Sequence, residues 1–227
     1  MTRTLDLTDK FDWIGPLIGV SALAILIAAP ALADEDGTHV ITIDQVQLDN
    51  VLTNLDVEIE DFAKQASVSA TAVANTAAGL VTSGDVDFEA RQTQDGIVSS
   101  IGILEGGSTR QAVATTTAYG NSATAGTWSG NLNYITEQTT NGKIEAGTIV
   151  DLDETRKIAA ATTGIANVSV PANEYGESYA SQTQVSNGSV ETTMDVDIDR
   201  VRRAATIANT AGGNSISGSG STSTNIS

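Results

Sequence analysis

No cysteine occurs among the 227 residues, which excludes disulfides, thiol catalysis and thiolate-bound metal. Stability must come from backbone ladders and packing. Histidine occurs once, as His39, near the start of the mature chain and with nothing beside it in sequence to make it a catalytic base. Aromatic residues make up only 4% and prolines number three. A buried aromatic removes roughly 150–250 Å² from water, so a chain this poor in them cannot fill a thick core. It must bury thin layers and rely on repetition, as solenoids do. Positive charge is scarce as well: 11 Lys and Arg stand against 28 Asp and Glu, for a formal net charge of -17. Binding a phosphate backbone needs clustered basic residues, so nucleic acid is excluded as a partner, and an anionic bilayer surface is disfavoured on the same ground. The acidity suits solubility of an exposed β-protein and attracts divalent cations.

Near the N-terminus, Ile14 to Ala29 is an apolar run, followed by Pro30-Ala31-Leu32-Ala33 and then Asp34-Glu35-Asp36. The run of about 16 residues is short for a membrane-spanning helix of about 20. Ala31 and Ala33 form the small-x-small pattern of a signal-peptidase site. The expectation is a signal peptide over residues 1–33, cleaved after Ala33, and export across the inner membrane to the cell surface or outer membrane. Asp6, Asp9 and Asp12 dilute the basic character of the leading segment, and the alternative is a retained anchor.

What the chain has in place of large side chains is a period. Under a shift of 46 residues Lys64-Gln65 meets Arg110-Gln111, Arg156-Lys157 and Arg202-Arg203. Asn75, Asn121 and Asn167 coincide, with Gly213-Asn214 in the fourth copy. Gly84, Gly130 and Gly176 coincide, as do Gly96, Gly142 and Gly188. Gln92-Thr93-Gln94, Gln138-Thr139-Thr140 and Gln182-Thr183-Gln184 are related tripeptides, the third displaced by two residues, which calls for a small insertion near Val185-Ser186. With so few basic residues, four basic positions in one register do not arise by chance. The repeats run 64–109, 110–155 and 156–201, with a fourth begun. They form a β-repeat domain over 64–211, preceded by a segment 34–63 holding part of an earlier copy and followed by a Gly/Ser-rich tail, 212–227. Periods of this size mark stacked supersecondary units.

Inside a copy the hydrophobic period is two. Ala66, Val68, Ala70, Ala72 and Ala74 alternate with mostly polar neighbours. Ala112, Ala114, Thr116 and Ala118 do the same, as do Ile144, Ala146, Thr148 and Val150. Such alternation between Gly/Asn punctuation reads as half-buried strands joined by turns. With turn centres placed near Asn75 and Gly96, the 46-residue copy divides into two rungs of ~23 residues. The expectation is all-β: a β-solenoid of about eight such rungs, stacked at roughly 4.8 Å into a rod of about 40 Å. The alternative is an antiparallel β-sandwich, which does not require a fixed period.

No catalytic, cofactor-binding or metal-binding residue is assigned. No G-x-S-x-G elbow stands beside a partner. Acids pair at Asp34/Asp36, Glu58/Glu60/Asp61, Asp85/Asp87, Asp151/Asp153/Glu154 and Asp195/Asp197/Asp199. On strands these alternate along one face, where they meet water. They match neither an EF-hand loop nor the glycine-rich calcium repeat, which leaves room only for weak Ca²⁺ binding. An enzyme of the polysaccharide-cleaving β-helix kind would break the repeat with a local charged site, whereas these acids follow the repeat boundaries.

The Gln-Thr-Gln segments followed by alternating small and β-branched residues are similar to curlin-type fibre subunits, although those have shorter and stricter repeats. The export signal, the acidic Ala/Thr/Asn-rich chain, and segments such as Thr115–Ala125 and Ser181–Val190 more closely resemble the holdfast anchor proteins of stalked alphaproteobacteria, their D component in particular. That resemblance covers most of the mature chain. It implies a secreted, non-enzymatic protein that fastens an extracellular polysaccharide adhesin to the cell envelope. The partners it implies are other anchor or fibre subunits, the polysaccharide, and an outer-membrane secretion lipoprotein. The other class of reading is a calcium- or glycan-binding β-repeat module.

Overall fold

The computed structural model describes residues 19–23, 38–220 and 224–226. Most of the expected signal peptide lies outside these. The described residues form eleven strands and no helix: β1 (Gly19–Leu23), β2 (His39–Gln47), β3 (Val51–Ser83), β4 (Val86–Gln94), β5 (Val98–Ser129), β6 (Leu132–Thr140), β7 (Ile144–Tyr175), β8 (Ser178–Ser186), β9 (Val190–Ile216), β10 (Ser219–Gly220) and β11 (Thr224–Ile226). Long and short strands alternate and stack in two sheets. One runs β1-β3-β5-β7, with β9 and β10 both pairing β7 on its upper side; the other runs β2-β4-β6-β8-β11. Every pairing is parallel, so the chain is a β-solenoid and the antiparallel sandwich is set aside.

The size of one coil corrects the expected rung. Gln65 pairs with Gln111 and Gln111 with Lys157; Phe88 pairs with Tyr134 and Tyr134 with Ala180. Neighbouring strands are therefore a whole 46-residue copy apart, and a coil is one copy instead of half of one. Among the described residues the stack has four coils in place of eight, and at about 4.8 Å per strand it is about half the expected height. The reason is that Asn75 and its mates are not turns. They lie inside the long strands with their side chains buried, and the real turns fall at Gly84, Gly130 and Gly176 and at Gly96, Gly142 and Gly188. The expected insertion near Val185 is also absent. β6 and β8 pair without interruption, Gln138 lies against Gln184, and Gln182 falls in the Thr136 column.

Each long strand is bent into two arms. In β7, Thr162 Oγ1 donates to Thr148 Oγ1 at 2.6 Å, so residues 14 apart face each other across the interior. The bend falls near Gly106 in β5, which has φ 115°, and beside the register shifts at Ile59/Phe62 and Thr155/Lys157. The second arm of a long strand makes one wall, about 20 residues or about 65 Å wide. Opposite it lie the short strand and the first arm of the next long strand. Tyr134 Oη donating to Ala123 O (3.0 Å) and Asn121 Nδ2 donating to Thr139 O (3.0 Å) tie the walls together.

The period-two residues fill the space between the walls. Val68, Ala70, Ala72, Ala114, Ala118, Ile144 and Val150 are buried, as their alternation predicts. They fall into three clusters along the flattened interior: one at the bend around Leu104 and Leu152, one in the middle around Val98 and Ile144, and one at the glycine turns around Phe88 and Tyr134. Alanine suits this interior because each inward position lies directly on its mate in the next coil. Only where Phe88 and Tyr134 stack (centroids 5.1 Å apart, rings within 6° of parallel) does the core become thick, and the facing small residue Gly79 makes room for the ring.

Candidate functional surface: amide ladders, an aromatic corner and carboxylate columns

Two columns of amides run the height of the molecule. Gln92 Nε2 donates to Gln45 Oε1 (2.8 Å), Gln138 to Gln92 (2.8 Å) and Gln184 to Gln138 (2.7 Å). Each also donates across the interior to a backbone carbonyl, that of Thr76 for Gln45, Ser122 for Gln92, Val168 for Gln138 and Ser215 for Gln184. The asparagine column runs in the opposite sense. Asn75 Nδ2 donates upward to Asn121 Oδ1 (2.7 Å), Asn121 to Asn167 (2.8 Å) and Asn167 to Asn214 (2.8 Å). These three also donate to the carbonyls of Thr93, Thr139 and Val185, the second-to-last residues of the short strands before the Gly96-type turn. Buried amides carry a heavy penalty unless satisfied, and here stacking identical residues satisfies most of them. The repeat had marked the Gln and Asn positions, but alternation alone did not reveal that they point inward.

At the other turn the surface is aromatic. Trp128, near the end of β5, and Tyr175, the last residue of β7, meet edge-on with ring centroids 5.6 Å apart, and both are more than half exposed. Tyr179, just past the Gly176 turn, is also exposed. Beside them a shallow open groove is floored by Gly126 and Ala172 and bordered by Leu80, Thr127, Trp128 and Asn173. Sequence reading treated aromatics only as scarce. The signal available was that Trp128, Tyr175 and Tyr179 cluster around one glycine turn in successive copies.

The paired acids point outward. Glu58, Glu105, Asp151 and Asp197 occupy one exposed column through all four long strands, one coil apart. Asp34 and Asp36 lie outside the described residues. No group of three or more metal-ligating side chains is gathered among the described residues. His39 comes within 3.2 Å of the Ser83 carbonyl. Charge is offset locally: Lys143, in the turn before β7, bridges Glu145 near the start of that strand and Glu191 on the next coil, the latter at 2.7 Å. Its hydrogen bonds to Glu145 and then Glu191 hold the ammonium pKa above the usual lysine value, and the same contact holds Glu191 below the usual carboxylate range. Arg200 and Arg202 both reach Glu154 across one coil.

The described residues thus form a stack of parallel coils that repeats its outward chemistry from one coil to the next. The family described as Holdfast attachment protein D matches over residues 31–227. The chain belongs to this family. Membership covers β2 to β11, ties the chain to holdfast attachment, and supports a structural role at the cell surface. No curated protein and no solved structure matches. Among the described residues, no helix is long and apolar enough to cross a membrane.

Proposed function

We propose that this holdfast attachment protein is an exported, non-catalytic spacer that fastens an extracellular polysaccharide adhesin to the cell envelope, gripping the glycan at the aromatic corner. The observation that carries the reading is the pairing of Trp128 and Tyr175 beside a glycine-floored groove, in a chain that spends few aromatics elsewhere. A sugar ring presents an apolar C–H face that packs on an exposed indole or phenol ring, and hydroxyls that bond to amides and carboxylates at the rim. Sites with an aromatic platform and a few polar groups suit such ligands. The flat, rigid stack supplies a surface that transmits load between glycan and envelope without a flexible linker. Export by way of the residue 1–33 leader and hand-over by an outer-membrane secretion lipoprotein complete the proposal.

The test is retention of the protein on immobilised holdfast polysaccharide. Trp128→Ala/Tyr175→Ala loses at least about tenfold in affinity, because each aromatic contact is worth roughly 0.5–1.5 kcal/mol beyond its buried area. Both side chains are half exposed, so the circular-dichroism melt stays near that of the parent chain. Undiminished retention by the double variant would sink the assignment of the corner. A second reading, weak divalent-cation binding along the Glu58–Glu105–Asp151–Asp197 column, is favoured by the one-coil spacing of these carboxylates. Calorimetry with Ca²⁺ alone separates it from glycan binding.

A further inference from the structure

Both amide ladders end unmatched. Gln184 Oε1 is enclosed and has no hydrogen-bond partner among the described residues, although the same atom of Gln45, Gln92 and Gln138 accepts the amide of the glutamine above. At the opposite end Gln45 donates to Thr76 O and, among the described residues, to no lower glutamine. Asn214, the top of the asparagine ladder, gives its amide to the edge carbonyl of Gln184, a bond that no lower asparagine makes. The missing partner of each end is the group that the other end offers. We propose that the C-terminal coil of one copy receives the N-terminal coil of a second, so that both sheets and both ladders run on from molecule to molecule.

The register supports this across the whole coil. If Gln45 of the incoming copy sits on Gln184, one constant numerical offset places Val51 on Val190 and Asn75 on Asn214, in the columns these residues already share through the inner coils. The two end strands match each other in length where they differ from the inner ones. The spacing from Val51 to Asn75 equals that from Val190 to Asn214, whereas Val98 to Asn121 and Ile144 to Asn167 are each one residue shorter. The core continues too. Met194, Val196 and Ile198 are only partly buried at the open edge and would be covered by Leu55, Val57 and Ile59 of the incoming copy. An edge of unpaired N–H and C=O groups is itself a template for another strand, and a head-to-tail contact of this kind repeats without closing.

The chain's own termini occupy part of both seats. β11 pairs with Ser178–Ala180, where His39–Ile41 of the incoming copy would lie. β1 pairs with Ser69–Val73, where Ala208–Gly212 of the copy below would lie. Loss of the leader clears the second seat, so stacking is held back until export. Like charges also meet at the junction, Asp195 under Asp56 and Asp197 under Glu58, so association strengthens as salt screens them. The inference stands apart from the glycan reading, since the aromatic corner lies on the outer surface of the coils.

The absence of cysteine makes the test direct. Leu52→Cys/Glu191→Cys places two thiols on adjacent strands across the proposed junction, about 4.8 Å apart and within disulfide reach. The full chain, expressed for export and purified from the cell surface, then gives a ladder of disulfide-linked multimers on mild oxidation. Leu52→Cys/Thr193→Cys, two residues out of register at about 8 Å, gives none. Ile207, inward-facing on β9 and 53% exposed at the open edge, supplies the blocking variant. Ile207→Lys keeps the monomer's melting midpoint and lowers multimer yield more than about tenfold, because stacking would bury an unpaired ammonium. Equal ladders from both cysteine pairs, an unchanged yield with Ile207→Lys, or a parent chain that sediments as a monomer at every concentration and salt would each overturn the proposal.

Discussion

Asn121 shows what a single side chain does in a stacked fold. Its amide donates to Thr139 O and to Asn167 Oδ1, and its own Oδ1 takes the amide of Asn75. Asn121→Ala removes these bonds and leaves one N–H of the Asn75 amide and the Thr139 carbonyl each short of a partner in a buried column, so it costs about 2–4 kcal/mol by denaturant unfolding. Tyr134 carries a different signature. Burial pushes its phenol up to about 12, with the Ser169 hydrogen bond opposing the shift. Below pH 10 the phenol is protonated in both folded and unfolded chains, and its full contribution is present. Between pH 10 and 12 the unfolded chain ionises first, so stability falls with rising pH, by about 2–3 kcal/mol at the upper end. Urea melts at pH 9 and pH 11.5 read this loss, and Tyr134→Phe shows a correspondingly smaller one.

The strands themselves are held in register by their turns. Gly84, Gly130 and Gly176 adopt φ of 106°, 140° and 132°, a region that L side chains rarely enter, and they lie in one column. A Cβ at Gly130 would also overlap the carbonyl of Gly84 in the coil below. Gly130→Ala therefore strains the turn and pushes two coils apart, at a cost of at least about 2 kcal/mol. Gly212 is the contrasting case. An added Cβ there meets only Ile165, at an ordinary 3.8 Å, so Gly212→Ala changes stability by less than about 0.5 kcal/mol. Thermal melts of the two variants measure the difference between a turn glycine and a strand glycine.

Taken whole, the molecule is a short stack whose middle is better satisfied than its ends. β5 and β7 have a parallel partner on both sides, whereas among the described residues β9 has one only on the β7 side. In a solenoid each coil draws stability from its neighbours, so opening begins at the terminal coil. Hydrogen exchange followed by mass spectrometry therefore finds amides of Val190–Ile216 exchanging well before those of Val98–Ser129. End-to-end stacking slows the β9 amides specifically, which distinguishes it from association through the outer faces.

The 46-residue period, read from residues such as Asn75, Asn121 and Asn167, determined that the chain is a stacked all-β repeat, because identical residues at constant spacing are what parallel coils need. Alternation along Ala66–Ala74 and Ile144–Val150 determined which of those side chains face inward, and the lack of cysteine excluded thiol chemistry. What the tertiary structure decided was where the coil closes. Gly and Asn both mark turns in local sequence, and only the bend of each long strand shows that Asn75 faces a core while Gly84 and Gly96 turn. The same closure brings Trp128 to Tyr175 and leaves Gln184 with an unmatched acceptor. Those are properties of neighbouring coils and of their ends, which no stretch of sequence holds by itself.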